Sequence, residues 1–271
     1  RVQPYDITQN LTLEARELGF GSVNYDLIYG LAKQTIESFG DTIDKTIELR
    51  PDRIALYSFA LVPWIKPAQR LFKDEDLPAG ENKRKLYELA RAQLLDSGYI
   101  EIGMDHFALQ EDSLAIAYRE RRLYRNFQGY SVEKAEDLLG LGVTAVGFIQ
   151  GAFLQNVKTI EEYESRLLQG MLPAFRGFCL QPEDALRRWV IQQIMCRFCV
   201  NKREFAQRFD VSFDRHFHKE QSAIAQLVEE GFVEESPEEL RATPLGRLFV
   251  RLIAVVFDQY YTEQGKFSRS I

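Results

Sequence analysis

Apolar residues recur at two different spacings along this chain, and the switches between them lay out its first hundred residues. Leu11, Ala15 and Leu18 share one face of a helix predicted over 8–18, and Gly19 stops it. Residues 22–29 then read as a strand: Val23, Tyr25, Leu27 and Tyr29 point to one face, Asn24, Asp26 and Ile28 to the other. Thr35 can cap the next helix, whose stripe is Ile36, Phe39, Ile43 and Ile47. Arg53 to Ala60 has strand texture, and Pro63, Pro67 and Pro78 mark 61–80 as mostly loop. A helix over 82–96 carries Leu86, Leu89 and Leu94, and Tyr99 to Met104 reads as a strand delivering Asp105 and His106 at its end. Strand, helix, strand, helix, strand implies crossover connections and a parallel sheet, open or closed into a barrel.

Residues 107–180 are mixed: a polar-aromatic stretch at 118–130, a Gly-punctuated segment at 138–151 and a helical patch at 159–169. From Gln181 the texture changes. Pro182 sits at a helix start with Glu183 and Asp184 in the first turn, favourable to the dipole. Asn201 with Glu204 matches a capping box, and a third helix runs from about 214 to Glu230, ending at Gly231. Phe232-Val233 and Leu240 to Ala242 read as a short hairpin, and Thr243-Pro244 opens a final apolar helix. Three helices, a hairpin wing and a closing helix describe a mainly helical, winged-helix-like domain, with the boundary placed between 1–175 and 176–271.

With 271 residues there is chain enough for a substantial core and about two domains. A net charge of −6 argues against broad attraction to nucleic acid or anionic membrane. Acids and bases nearly balance across 180–271, so no basic recognition helix supports DNA binding there. The apolar run Leu248 to Phe257 is short and carries Arg251, which excludes it as a membrane span. Cys179, Cys196 and Cys199 give no disulfide framework and fit a reducing cytoplasm. The chain opens on Arg1 with no secretory signal, which suggests a processed start or a fragment.

Candidate chemistry is concentrated in a few places. Asp26 stands on the face of its strand opposite the apolar one, where a buried carboxylate costs on the order of several kcal/mol unless it is hydrogen-bonded. It reads as an acceptor for ligand hydroxyls, with a carboxylate satisfied by backbone amides as the plain alternative. Asp105 beside His106 could orient an imidazole for proton transfer, or could be a structural pair at a strand end. Arg125-Asn126-Phe127-Gln128-Gly129-Tyr130 puts a guanidinium, two amides and two aromatics in six residues, a set that suits a planar ligand with carboxylates. Gly140 to Ala145 lacks the lysine of a phosphate-binding loop. Cys196 and Cys199, i and i+3 on one helix, read as buried structural thiols, and His216 and His218 diverge too far on a helix to chelate together.

Together these segments resemble oxygen-independent coproporphyrinogen III oxidase, a radical S-adenosylmethionine family of haem biosynthesis. The resemblance is carried by Asn24-Tyr25-Asp26-Leu27-Ile28-Tyr29-Gly30-Leu31 with Gln34-Thr35, by Gly103 to Ala108, by Arg125 to Tyr130, by Asp137 to Gly142 and by Phe267-Ser268-Arg269. It implies the second part of a (β/α)6 partial TIM-like barrel followed by the winged-helix-like domain. It implies a reaction too: oxidative decarboxylation of two propionates of coproporphyrinogen III to vinyls, giving protoporphyrinogen IX. The oxidant would be a 5′-deoxyadenosyl radical made at a 4Fe–4S cluster, with two S-adenosylmethionine molecules bound and flavodoxin or ferredoxin as electron donor. By position, Arg1, Asp26, Ala60 and Val146 would contact S-adenosylmethionine. Phe127 and Gln128 match positions needed for activity, and Asp105, His106 and Arg125 would lie near the substrate. The cluster motif Cys-x-x-x-Cys-x-x-Cys is absent, so metal ligands in this chain are expected to be none and the chain alone is expected to be inactive. Two other functions are weighed beside this one: a haem-binding chaperone of the same superfamily, and a winged-helix DNA-binding regulator.

Overall fold

The computed structural model describes residues 3–262. Arg1 and Phe267-Ser268-Arg269, both singled out above, lie outside the described residues. The chain divides into two compact units, which meet in sequence between Glu120 and Arg121.

The first unit runs α1 (Tyr5–Glu17), β1 (Asn24–Tyr29), α2 (Ile36–Leu49), β2 (Arg53–Ser58), α3 (Gly80–Asp96), β3 (Tyr99–Gly103), β4 (His106–Leu109) and α4 (Ser113–Arg119). Thr35 caps α2 through a reciprocal box with Ser38. Two short 3-10 turns occupy the proline-rich stretch before α3. Phe39 and Ile43 of α2 and Leu86, Ala90 and Leu94 of α3 pack on Tyr29, Ile54, Leu56, Tyr99, Phe107 and Leu109 of the sheet. That is the helix-facing side read from β1, where Leu27 and Tyr29 belong to the core and Asp26 and Ile28 are exposed.

The sheet order is β1-β2-β4-β3. Only β1 and β2 are parallel; β4 is antiparallel to both β2 and β3. The parallel sheet expected throughout is therefore corrected to a mixed one. The chain reverses at Met104, whose φ of 50° closes a hairpin turn, and Phe107-Ala108-Leu109 inserts as a central strand. Those three are 0%, 0% and 4% exposed, so their unbroken apolar run marks a strand covered on both faces. The strands form an open sheet, and no closed barrel is present among the described residues.

The second unit starts with a two-stranded hairpin, β5 (Tyr124–Asn126) and β6 (Gly129–Ser131). A three-stranded sheet follows, β7 (Val146–Ile149), β8 (Ala152–Asn156) and β9 (Ala174–Cys179), with α5 (Ile160–Leu168) between its last two strands. Then come α6 (Pro182–Arg197), β10 (Cys199–Asn201), α7 (Lys202–Phe209), α8 (Phe213–His216) and α9 (Gln221–Glu229). The chain closes with β11 (Val233–Glu235), β12 (Glu239–Ala242), α10 (Pro244–Leu248) and α11 (Val250–Val255).

Two predicted helices are broken here. The one over 214–230 splits because Phe217 leaves the helical path to pack, fully buried, against Phe205, Phe213 and Phe257. The final helix breaks at Phe249. The shared helix face of Cys196 and Cys199 is also corrected: Phe198 turns left-handed at φ 57° and ends α6, so Cys199 lies in β10. Of the three thiols only Cys196 is buried. Gly246 is required by close approach, since a Cβ there would strike the Phe232 carbonyl oxygen.

Candidate functional site

Each unit carries candidate chemistry, and each is built differently. In the first unit the strand register aligns Asp26 of β1 with Ala55 of β2, and Ala55 with His106 of β4. Paired residues share a sheet face, so Asp26 and His106 stand two strands apart, about 10 Å, across the small side chain of Ala55. Tyr57 is next along that face and meets the His106 ring edge-on at 6.1 Å. Asp26 is exposed and accepts a hydrogen bond from Asn24 Nδ2 at 2.8 Å, so the desolvation cost anticipated for it is not incurred. It opens onto a groove of about 1140 Å3 along β1, lined also by Thr8 and Thr12 of α1 and Thr42 and Thr46 of α2.

Asp105 sits in the turn before β4, where its carbonyl accepts from Leu56 N at 2.6 Å. It is thus a turn residue rather than the end of a strand, because the chain doubles back at this point.

Two glutamines fix the loops that follow β1 and β2. Gln34 Oε1 accepts from Gly30 N at 2.6 Å while its Nε2 donates to the Ile28 carbonyl at 3.2 Å. Gln69 repeats the device beyond β2, accepting from Val62 N at 2.6 Å and donating to the Ala60 carbonyl at 3.1 Å. Lys83 reaches the same region, with Nζ donating to the Phe59 carbonyl at 3.2 Å, and burial lowers its pKa. Gly30, at φ 82°, has no room for a Cβ beside the Lys83 stem.

In the second unit the Arg125–Tyr130 segment is the β5–β6 hairpin. Its two-residue turn is Phe127-Gln128, with Gln128 N donating to Asn126 Oδ1 at 2.8 Å. The turn pushes Phe127 outward, 60% exposed, with its ring edge-on to Phe153 at 5.3 Å. Four hydrogen bonds tie the hairpin to α6. Gln192 pairs with both backbone groups of Arg125, at 3.3 and 2.6 Å, and Tyr130 Oη donates to the Met195 carbonyl at 2.7 Å. Arg188 Nη2 donates to Tyr124 Oη at 2.7 Å.

Between hairpin, α6 and the β7–β8 pair lies a cavity of about 550 Å3, lined by Arg125, Phe127, Phe148, Phe153, Arg188 and Gln192 among others. Of the residues predicted for a site, it gathers Arg125 and Phe127. Gln128 is exposed in the turn and Val146 is half-buried in β7; neither lines the cavity. The Gly140–Gly142 stretch serves its own sheet, its two glycine carbonyls accepting from Asn156 Nδ2 at 2.9 Å each.

The match to known proteins runs the length of the chain. The family model described as HemN C-terminal domain covers residues 180–249. An oxygen-independent coproporphyrinogen III oxidase from Synechocystis is 41% identical over all of this chain and 60% of its own length. One from Thermostichus vulcanus is 41% identical over 94% of this chain and 80% of its own length. The chain belongs to the oxygen-independent coproporphyrinogen III oxidase family. A solved Escherichia coli coproporphyrinogen III oxidase, titled a radical SAM enzyme, superposes with a TM-score of 0.92 at 40% identity, over 96% of this chain and 60% of that one. The chain therefore spans about three-fifths of the length of several of its relatives.

That family implies a 4Fe–4S cluster and S-adenosylmethionine, and this chain's thiols do not suit the cluster. Burial pushes Cys196 up to about 12, leaving it a neutral thiol packed on Gln192 Oε1 at 3.4 Å. Among the described residues no three His, Cys, Asp or Glu side chains are grouped to hold a metal. For S-adenosylmethionine the donor set is more apt: the exposed Asp26 carboxylate offers acceptors for hydroxyl or amino groups.

Sequence reading missed Arg188, Gln192, Phe148 and Phe153 as a wall. One signal was present: Arg188, Ile191, Gln192 and Met195 fall at i, i+3, i+4 and i+7, one face of α6. Two long polar side chains on a stripe otherwise suited to packing mark a cavity.

Proposed function

We propose that the whole protein of which these residues form a part decarboxylates two propionates of coproporphyrinogen III to vinyls, giving protoporphyrinogen IX in haem biosynthesis. The observation that carries the reading is the 41% identity to an oxygen-independent coproporphyrinogen III oxidase over 94% of this chain. In this reading 1–175 is the latter part of a (β/α)6 partial barrel and 176–271 a winged-helix-like domain. S-adenosylmethionine supplies the oxidising radical when bound. Arg1, Asp26, Ala60 and Val146 take part in holding its two copies, Asp26 by accepting from hydroxyl or amino groups and Ala60 through backbone fixed by Gln69. Phe127 and Gln128 serve the reaction, and Asp105, His106 and Arg125 face the substrate. The cluster's ligands lie outside this chain, the electron comes from a flavodoxin- or ferredoxin-like donor, and the protein works in the cytoplasm. No described helix is long and apolar enough to cross a membrane.

The test has two arms, both anaerobic. This chain, given iron, sulfide and S-adenosylmethionine, is expected to show no 4Fe–4S absorbance and no S-adenosylmethionine cleavage; observing both overturns the assignment of the cluster to another segment. Fused behind the cysteine-bearing segment of the Synechocystis relative, it is expected to form vinyl groups from coproporphyrinogen III. Stable haem binding by that fusion with no decarboxylation would replace the oxidase reading with a chaperone.

A further inference from the structure

Adjacent arginines on α6 are treated in opposite ways. Arg187 is saturated: its guanidinium meets Glu183 at 2.6 Å and Glu220 at 2.7 Å. Arg188 has no carboxylate partner among the described residues. It lies over the rings of Phe148, at 4.2 Å, and Phe153, at 5.2 Å, and gives one hydrogen bond to Tyr124 Oη. Arg125 turns away from the cavity: paired with Tyr130 on the hairpin face opposite Tyr124 and Ser131, it stacks its guanidinium on the Tyr130 ring at 4.8 Å. A guanidinium offers five donors in a fixed fork, and leaving a buried one unmet is costly. Lys134 also lines the cavity; against Arg188 and Lys134 the lining holds one acid, the exposed Glu133. Phe127, Phe148 and Phe153 supply the apolar remainder.

We infer that this cavity receives a propionate-bearing pyrrole edge of the tetrapyrrole, with Arg188 binding its carboxylate. The inference rests on the function proposed above and adds to it a role for α6, the helix that opens the HemN C-terminal domain match. Forked donors pair with a carboxylate at two points, and the phenylalanine rings present faces and edges to a flat, electron-rich ring. Burying a propionate here replaces a cation surplus with a pair, which a neutral ligand of the same shape cannot do.

Fluorescence titration of this chain tests it, using coproporphyrin III, its tetramethyl ester and the monocarboxylate 1-pyrenebutyrate. The tetra-acid is expected to bind about tenfold or more tightly than the ester. Arg188→Gln is expected to weaken the acid about tenfold and leave the ester unchanged, and Arg188→Lys to restore binding only in part. Circular dichroism and unchanged unfolding midpoints separate lost contacts from lost fold. Equal affinity for acid and ester, or acid binding untouched in Arg188→Gln, overturns the arginine assignment and leaves the tetrapyrrole reading standing. Arg188-dependent binding of pyrenebutyrate with no binding of coproporphyrin III overturns the tetrapyrrole reading and leaves Arg188 as a carboxylate ligand. Failure of all three probes to bind overturns the inference.

Discussion

The two units handle buried charge by different means. In residues 3–120 the core is aliphatic and aromatic side chains pressed between a sheet and two helices. The buried Tyr99 Oη donates to the Pro51 carbonyl at 2.7 Å, and the buried charges Lys83 and Asp112 lie outside that cluster. In residues 121–261 the interior is built on rings, and cations are seated on them. Arg187 lies over Phe217 at 5.4 Å and Lys202 over Phe213 at 5.5 Å. Carboxylates then close on the outside: Glu183 and Glu220 on Arg187, Asp214 and Glu235 on Lys202. A helix-covered sheet can bury a wide face without charged partners. A small helical domain with short elements must use the stems and heads of long side chains to cover its rings.

That contrast can be broken most sharply by emptying the cores. Phe205→Ala in the second unit and Phe107→Ala in the first, both 0% exposed, are each expected to cost about 3–5 kcal/mol. Hydrogen exchange should report the loss in helix 182–197 for the former and in strand 53–58 for the latter. Equal loss of protection in both regions from either variant would mean the interiors are not separate.

Next in size is the ion-pair network. Arg187→Ala leaves Glu220, whose side chain is 14% exposed, without its cation, and about 3 kcal/mol of destabilisation is expected by denaturant titration. Arg84→Ala, on the surface of the first unit, is expected to change stability by less than about 0.5 kcal/mol, its partner Glu88 being in water.

The pH limits should be opposite. Burial raises Tyr99 to about 12, so its contribution is complete below the ordinary tyrosine range near 10 and fades as pH climbs from there through 12. Tyr99→Phe should remove that alkaline loss at a cost of about 1 kcal/mol at neutral pH. Burial alone would raise the Asp184 carboxyl, but Gln181 N–H, Tyr260 and Gln259 donate to it and hold it below the usual value. Its contribution is therefore complete above the ordinary carboxylate range and lost as pH falls through the lowered value. Asp184→Asn should flatten the acid limb followed by the fluorescence of Trp189, with the alkaline limb unchanged.

A further effect is local. Gly30→Ala is expected to cost about 1–3 kcal/mol, from a positive φ and contact with Lys83. A larger drop in protection of the amides at 28–31 than in strand 53–58 would show that the loop alone yields.

Local signals in the chain were strong wherever one side chain meets its own neighbours. Thr35 closing a box with Ser38, Asn201 accepting from Glu204 N at 2.8 Å and the alternating faces of β1 depend on residues a few positions apart. The antiparallel insertion of β4 was hidden because a run such as Phe107-Ala108-Leu109 suits either direction of pairing. Helix 214–230 failed for a related reason: the pull on Phe217 comes from Phe205 and Phe257, distant in sequence.

The candidate sites divide along the same line. From residues alone follow the family, the apolar and polar faces of β1, and the promise of the Arg125–Tyr130 segment as a place for a flat acid. Only the folded chain decides that Asp26 and His106 share a row across Ala55, or that Arg188 faces a ring-lined cavity while Arg187 beside it is neutralised. A side chain's type and its spacing from near neighbours are written in the chain, but which distant carboxylate or ring it meets depends on how whole elements pack, and that partner sets whether a charge is spent or left free to bind.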